Sequence, residues 1–140
     1  MVGDAIDATT TGEEALEVLI RTSSAHYGER KDVLRLSYLV PQVGAAGTPR
    51  FDPEMLERIR PFNERMYGAV GARIKRDQEA GRVPADLDGR RLAFLAHTSV
   101  IGMITVEGLV ETADTSPLIH SREAMVDDLV RTFRARLVVG

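Results

Sequence analysis

Cysteine is absent from the 140 residues, which excludes disulfides, thiolate metal sites and cysteine nucleophiles. Tryptophan is absent too, and aromatic residues make up only 5% of the chain, so a flat ligand finds few stacking planes. Neither sign of charge dominates: 18 Lys+Arg stand against 21 Asp+Glu, a formal net charge of -3. A strongly basic nucleic-acid module is thereby excluded, because counterion release needs clustered phosphate-neutralising cations. Met1 to Gly12 lack the basic-then-apolar layout of a signal peptide. The longest uncharged stretch, Leu92 to Val106, holds His97, Thr98, Ser99, Gly102 and Thr105 and falls short of the ~20 apolar residues that a bilayer crossing needs. The expectation is a soluble, cytoplasmic protein that does not engage membranes. His26, His97 and His120 are scattered, no Glu-x-x-His pair occurs, and neither a Gly-x-Ser-x-Gly elbow nor a Walker loop is present. No metal, no cofactor and no enzymatic activity are expected.

What is present is the composition of one globular domain: 44% hydrophobic, 28% charged, and enough chain to bury a core. Apolar residues recur at spacings of three and four, and no sustained alternation of period two survives. Thr11 and Glu14 have capping-box spacing, and Leu16, Leu19, Ile20, Ser23 and Tyr27 form one stripe that Gly28 ends. A second helix is expected from Arg30 to Leu39, stopped by Pro41. Asp52-Pro53 is a helix start, and Pro61 predicts either a break near Arg60 or a marked kink. Phe62 to Ala80 follows, closed by Gly81. Asp86 or Asp88 caps a long apolar helix to Val110, and Ser121 caps the last helix, to Leu137. The fold class is all-α, a bundle of five or six helices over residues 12–140, with residues 1–11 as a flexible leader.

The penultimate helix has no polar face between Leu92 and Val106, whereas a surface helix of a monomer needs one. It is either central in its own domain or shared with a partner chain. A two-fold homodimer in which the last two helices of each subunit form a four-helix interface resolves this. Leu92, Ala96, Ser99, Met103, Met125, Leu129 and Phe133 are the expected contact residues.

His97 sits in this apolar helix with Phe94 and Ile101 one turn away on either side. A lone histidine there is either a hydrogen-bonded core residue or the polar contact that orients a ligand in an apolar pocket. Thr98 and Thr105 are candidates to supplement it. Tyr38, Phe62, Met66, Tyr67 and Val70 supply the aromatic and soft apolar lining, although each alone reads as plain core. Gly68 and Gly71, mid-helix, favour close helix packing over a phosphate loop. Arg58, Arg60, Arg65, Arg73, Lys75 and Arg76 are interleaved with Glu54, Glu57, Glu64 and Asp77, the pattern of a solvated mixed-charge face rather than of a DNA-binding surface.

The run Ile74-Lys75-Arg76-Asp77-Gln78-Glu79-Ala80-Gly81-Arg82-Val83-Pro84-Ala85-Asp86-Leu87-Asp88 resembles a connection in bacterial transcriptional regulators of the TetR/AcrR type. In that family a long helix ends in a glycine turn, and a passage of basic, apolar, Pro, x, Asp, Leu, Asp opens an apolar penultimate helix. The small residues Ala93, Ala96, Ser99 and Gly102 fit that helix, and Ser121 to Leu137 fits the final amphipathic one. The resemblance runs from Leu16 to the end. It implies the ligand-binding and dimerisation half of such a regulator, sensing a small, mostly apolar effector. The family's N-terminal helix-turn-helix has no counterpart here, so DNA contact is implied only through that missing region. The competing expectation is a helical interaction module that dimerises without a small-molecule ligand.

Overall fold

The computed structural model describes residues 2–34, 53–110 and 121–139. These are helical, with no strand among the described residues: α1 (Val2–Asp7), α2 (Gly12–Glu29), α3 (Lys31–Leu34), α4 (Pro53–Asn63), a π-helical turn (Glu64–Gly68), α5 (Ala69–Glu79), α6 (Gly89–Val110) and α7 (Arg122–Arg134), which ends in a 3-10 turn (Ala135–Leu137). With the continuous Pro53–Glu79 rod counted once, the described residues form an all-α bundle of six helices, in line with the sequence expectation. Tyr38, Leu39 and His120 lie outside the described residues.

The central element is α2, which packs on α1, α5, α6 and α7. Its start follows from the expected capping box. Thr11 Oγ1 accepts from the Glu14 N–H at 3.1 Å, and Glu14 Oε2 accepts in return from the Thr11 N–H at 3.2 Å. The next orphan donor, the Gly12 N–H, is taken at 2.7 Å by the carboxylate of Asp77 from α5. Asp77 is buried, and Arg82 donates to its other oxygen at 2.6 Å. Burial pushes this carboxyl up, but the Gly12 N–H, Arg82 and Arg76 outweigh that and hold it below the usual carboxylate range. The sequence reading of Asp77 as part of a solvated face is therefore corrected. Ile74 wedges between the first turns of α2 and α6: a Cβ on Gly12 would lie 2.5 Å from its Cγ1, and one on Gly89 2.8 Å from its Cβ. Gly81, at φ 70°, makes the turn between α5 and α6 in a backbone conformation that side chains disfavour.

One boundary differs from expectation, and at Pro61 one of two expected alternatives drops out. Residues 2–7, expected within a flexible leader, form α1 and insert a fully buried Ile6 into the core. Arg73 of α5 holds α1 there, donating to the carbonyls of Asp7 at 3.3 Å and Thr9 at 3.0 Å, where a helix end leaves acceptors unsatisfied and favours a cation. Pro61 does not end its helix. α4 runs through it, and the hydrogen-bond ladder widens into the π turn just beyond. That turn brings the adjacent Met66 and Tyr67 both inward, at 2% and 9% exposure.

The faces of α6 also differ. Its buried arc is Leu92, Ala93, Ala96, His97, Val100 and Ile104, centred on the small residues that let α2 approach closely. Leu92 and Ala96, expected at a dimer contact, belong to the chain's own core. Phe94 and Leu95 point outward instead, about half exposed, as does Val106. Leu92 and Ala96 read as outward-facing in the sequence because Ala93 and Ala96 carry too little side chain to mark the inner side.

Candidate functional site

Three helical segments meet at His97: its own α6, the π turn and α2. The Tyr67 hydroxyl, presented by the π turn, lies 2.6 Å from His97 Nδ1, and the two ring centroids are 5.6 Å apart. Tyr27 of α2 also packs on His97, its ring centroid 5.8 Å from the imidazole. Phe94, one turn before His97, meets Tyr67 edge-on at 5.6 Å. His97 is 1% exposed, and burial alone lowers its pKa to about 4, so the imidazole is neutral at physiological pH.

Hydrogen bonding at this cluster is incomplete. His97 Nε2 is buried without a partner among the described residues, and so is Ser23 Oγ. Ser23 lies one turn before Tyr27 on α2, so the two share a face. A buried polar atom left unpaired costs about 1–3 kcal/mol, so a water or a ligand group that pairs with either atom is favoured there. Sequence reasoning singled out His97 for its surroundings; Ser23 and Tyr27 it read as a core stripe. No spacing signal could have paired α2 with α6, because that juxtaposition is tertiary.

Of the expected ligand-lining residues, Met66, Tyr67, Val70 and His97 are buried in the core, and Ile101 is half-buried and packed against it. Phe62 and Phe94 are corrections: they are 46% and 50% exposed. Phe62 borders a small cleft of about 80 Å³ with Val2, Tyr27, Arg65 and Met66. Thr98 and Thr105 do not supplement His97. Their hydroxyls donate to carbonyls of their own helix, Thr98 to Phe94 at 3.0 Å and Thr105 to Ile101 at 2.8 Å, and Ser99 does the same to Leu95 at 2.8 Å.

The outward side of α6 and the adjoining side of α7 form the second feature. Ser99, Met103, Met125, Leu129 and Phe133, all expected at a dimer contact, are only partly buried here. Met103, Met125 and Leu129 line a shallow depression of about 270 Å³. Leu95 and Phe133 line a larger groove of about 650 Å³, whose other walls carry both Asp86 and Asp88 and Arg91 and Arg136. α6 and α7 are locked at their far end by Arg122, which donates to both carboxylate oxygens of Glu107 at 2.9 and 2.7 Å.

Among the described residues, no group of three or more His, Asp or Glu could hold a metal ion, and no helix is long and apolar enough to cross a membrane. Comparison with protein-family models, with curated proteins and with solved structures finds no match. The described residues present a neutral imidazole with one unpaired nitrogen inside the bundle, and an apolar face with charges of both signs at its edge outside it.

Proposed function

We propose that this chain is the effector-sensing and dimerisation domain of a transcriptional regulator of the TetR/AcrR type. It pairs with a second copy through α6 and α7, and it holds a small, mostly apolar ligand against the Tyr67–His97 pair. The observation that carries this reading is the two-sided use of α6. Its inner side presents the half-satisfied His97 to the core. Its outer side exposes Leu95 and Val106, while the hydroxyls of Thr98 and Ser99 are already satisfied by their own helix. Such a face can be covered by a partner without stranding a donor. The groove beside it carries two carboxylates and two guanidiniums, so a two-fold copy can set each sign against its opposite.

In this reading one helix belongs to both the ligand site and the dimer contact, so a ligand that prefers one seating of α6 shifts the relation of the two subunits. A ligand with equal affinity for both arrangements shifts nothing. Operator contact in such regulators belongs to a helix-turn-helix, a region that no segment of this chain resembles. A second reading, a helical interaction module without a ligand, is favoured by one observation. The small cleft beside Tyr27 and Met66 holds only about 80 Å³ and is lined by neither His97 nor Tyr67, whereas ligand pockets run to roughly 300–1,000 Å³. A ligand held against the Tyr67–His97 pair must therefore open its own space by displacing neighbouring side chains, the flexible Met66 among them. Thermal unfolding with a panel of small hydrophobic compounds separates the two readings. Stabilisation that is lost in Tyr67→Ala supports the sensor; no shift with any compound, in a chain that still dimerises, supports the interaction module.

A further inference from the structure

The groove at the end of α6 and α7 holds charges that the fold does not use. Its apolar lining comes from three places: Leu87 before α6, Leu92 and Leu95 on α6, and Phe133 on α7. Its volume of about 650 Å³ lies inside the roughly 300–1,000 Å³ of ligand pockets. Four charged side chains also line it: Asp86, Asp88, Arg91 and Arg136. Asp88 is committed, because its Oδ1 accepts from the Arg91 N–H at 2.9 Å at the start of α6, and Arg90 adds a positive charge nearby. Among the described residues, the guanidiniums of Arg91 and Arg136 make no hydrogen bond or ion pair, and neither does the Asp86 carboxylate. The uncommitted charges are therefore two cations against one anion. A bound cation meets more repulsion than attraction, and a single free carboxylate is too few for a metal ion. The surplus is one positive charge, which one carboxylate balances, and the guanidinium fork matches its two oxygens. The apolar lining beside it suits a hydrocarbon body.

We infer that this groove is a ligand site of its own and takes an amphipathic monoanion, with a hydrocarbon body over Leu92, Leu95 and Phe133 and a carboxylate held by Arg91 and Arg136. The inference goes beyond the effector site at Tyr67–His97 and does not rest on it, since one chain supplies every wall of the groove. In the dimer proposed above, a partner's carboxylates meet the same guanidiniums, so the anion and the second copy compete for them.

The test uses three probes with one skeleton: 4-phenylbutanoate, 4-phenylbutan-1-ol and 4-phenylbutylammonium. Each is titrated against the full chain at low salt and followed in ¹H–¹⁵N correlation spectra. Wild type is expected to bind the carboxylate about five-fold tighter than the alcohol, the scale of an exposed ion pair, and the ammonium most weakly. The shifts are expected to centre on residues 84–95 and 132–138, and the preference to shrink as salt is raised. Arg91→Gln combined with Arg136→Gln strands no side-chain partner, and this variant is expected to bind carboxylate and alcohol equally. In sedimentation, saturating 4-phenylbutanoate is expected to lower the dimer fraction of wild type. Equal binding of carboxylate and alcohol by wild type, or tighter binding of the ammonium, overturns the ligand class. A carboxylate preference that survives the double substitution, or shifts centred on Met103, Met125 and Leu129 instead, overturns the site. Binding of none of the three overturns the inference whole, while the dimer reading stands or falls on sedimentation without any probe. A dimer strengthened by the carboxylate places the anion between two copies and overturns the single-chain site.

Discussion

Acidification is the perturbation that reads the state of His97 most cleanly. The imidazole titrates near 6.5 when solvated, and burial lowers it to about 4 in the folded chain. The unfolded chain therefore binds the proton more readily than the folded one, and stability falls as pH drops through 6.5 towards 4. From those two values the loss at pH 5, relative to pH 7.5, comes to about 2 kcal/mol, rising to about 3 kcal/mol once both forms are protonated. Other groups also titrate on the way down, so the informative quantity is a difference. His97→Gln keeps a polar side chain of similar reach but has nothing to protonate. Urea unfolding of both proteins at half-unit steps from pH 7.5 to 5 is expected to give curves that diverge by about 2 kcal/mol, with wild type losing the more. Parallel curves would mean that His97 is hydrated or paired in the folded chain, and the reasoning about its buried, neutral ring would be refuted.

Other expectations concern the joints of the bundle. Asp77→Ala leaves the buried Gly12 N–H without its acceptor and Arg82 without its partner; a loss of about 2–3 kcal/mol in urea unfolding is expected, and a loss under 0.5 kcal/mol would show that the contact is dispensable. Because the Asp77 carboxyl is held below its ordinary pKa, its contribution is present above the unfolded-state value and disappears as pH falls through the folded one, on the acid side of the His97 window. Gly12→Ala drives a methyl to 2.5 Å from Ile74 Cγ1 and 2.9 Å from its Cα, so a cost of about 1–3 kcal/mol is expected, read as a lowered Tm. Arg73→Met removes the donor to the carbonyls of Asp7 and Thr9. Amide exchange is expected to accelerate in residues 2–9 while α2 keeps its protection, and unchanged exchange would mean that Ile6 and the Arg65 ion pairs to Asp4 and Asp7 suffice to anchor α1.

Much of the fold was legible because local signals and burial agree. The Thr11–Glu14 box, the Gly81 turn and the Ser121 cap each mark a helix end by side-chain chemistry that acts within four residues. Of the two alternatives at Pro61, a break or a kink, the break does not occur, because Pro61 removes one hydrogen bond without obliging the helix to stop: the ladder continues and widens. α1 was hidden because a six-residue helix has no stability of its own and exists through Ile6 and Arg73, both tertiary anchors. At the candidate site, His97 stood out as a lone polar side chain in an apolar helix, yet its partners on α2 and the π turn depend on how helices cross. The misplaced face of α6 has the same origin. Alanines at 93 and 96 leave the hydrophobic pattern nearly flat, and only the close approach of α2 decides which side is in.

The central claim is that α6 is shared between its own bundle and a second copy. Sedimentation velocity at micromolar concentration tests it most directly, on wild type and on Leu95→Glu and Val106→Arg, both at exposed positions where the subunit fold tolerates a charge. A wild-type species of twice the 15.4 kDa chain mass that falls to one chain in both variants is the expected result. A wild-type chain that sediments only as a 15.4 kDa monomer contradicts it.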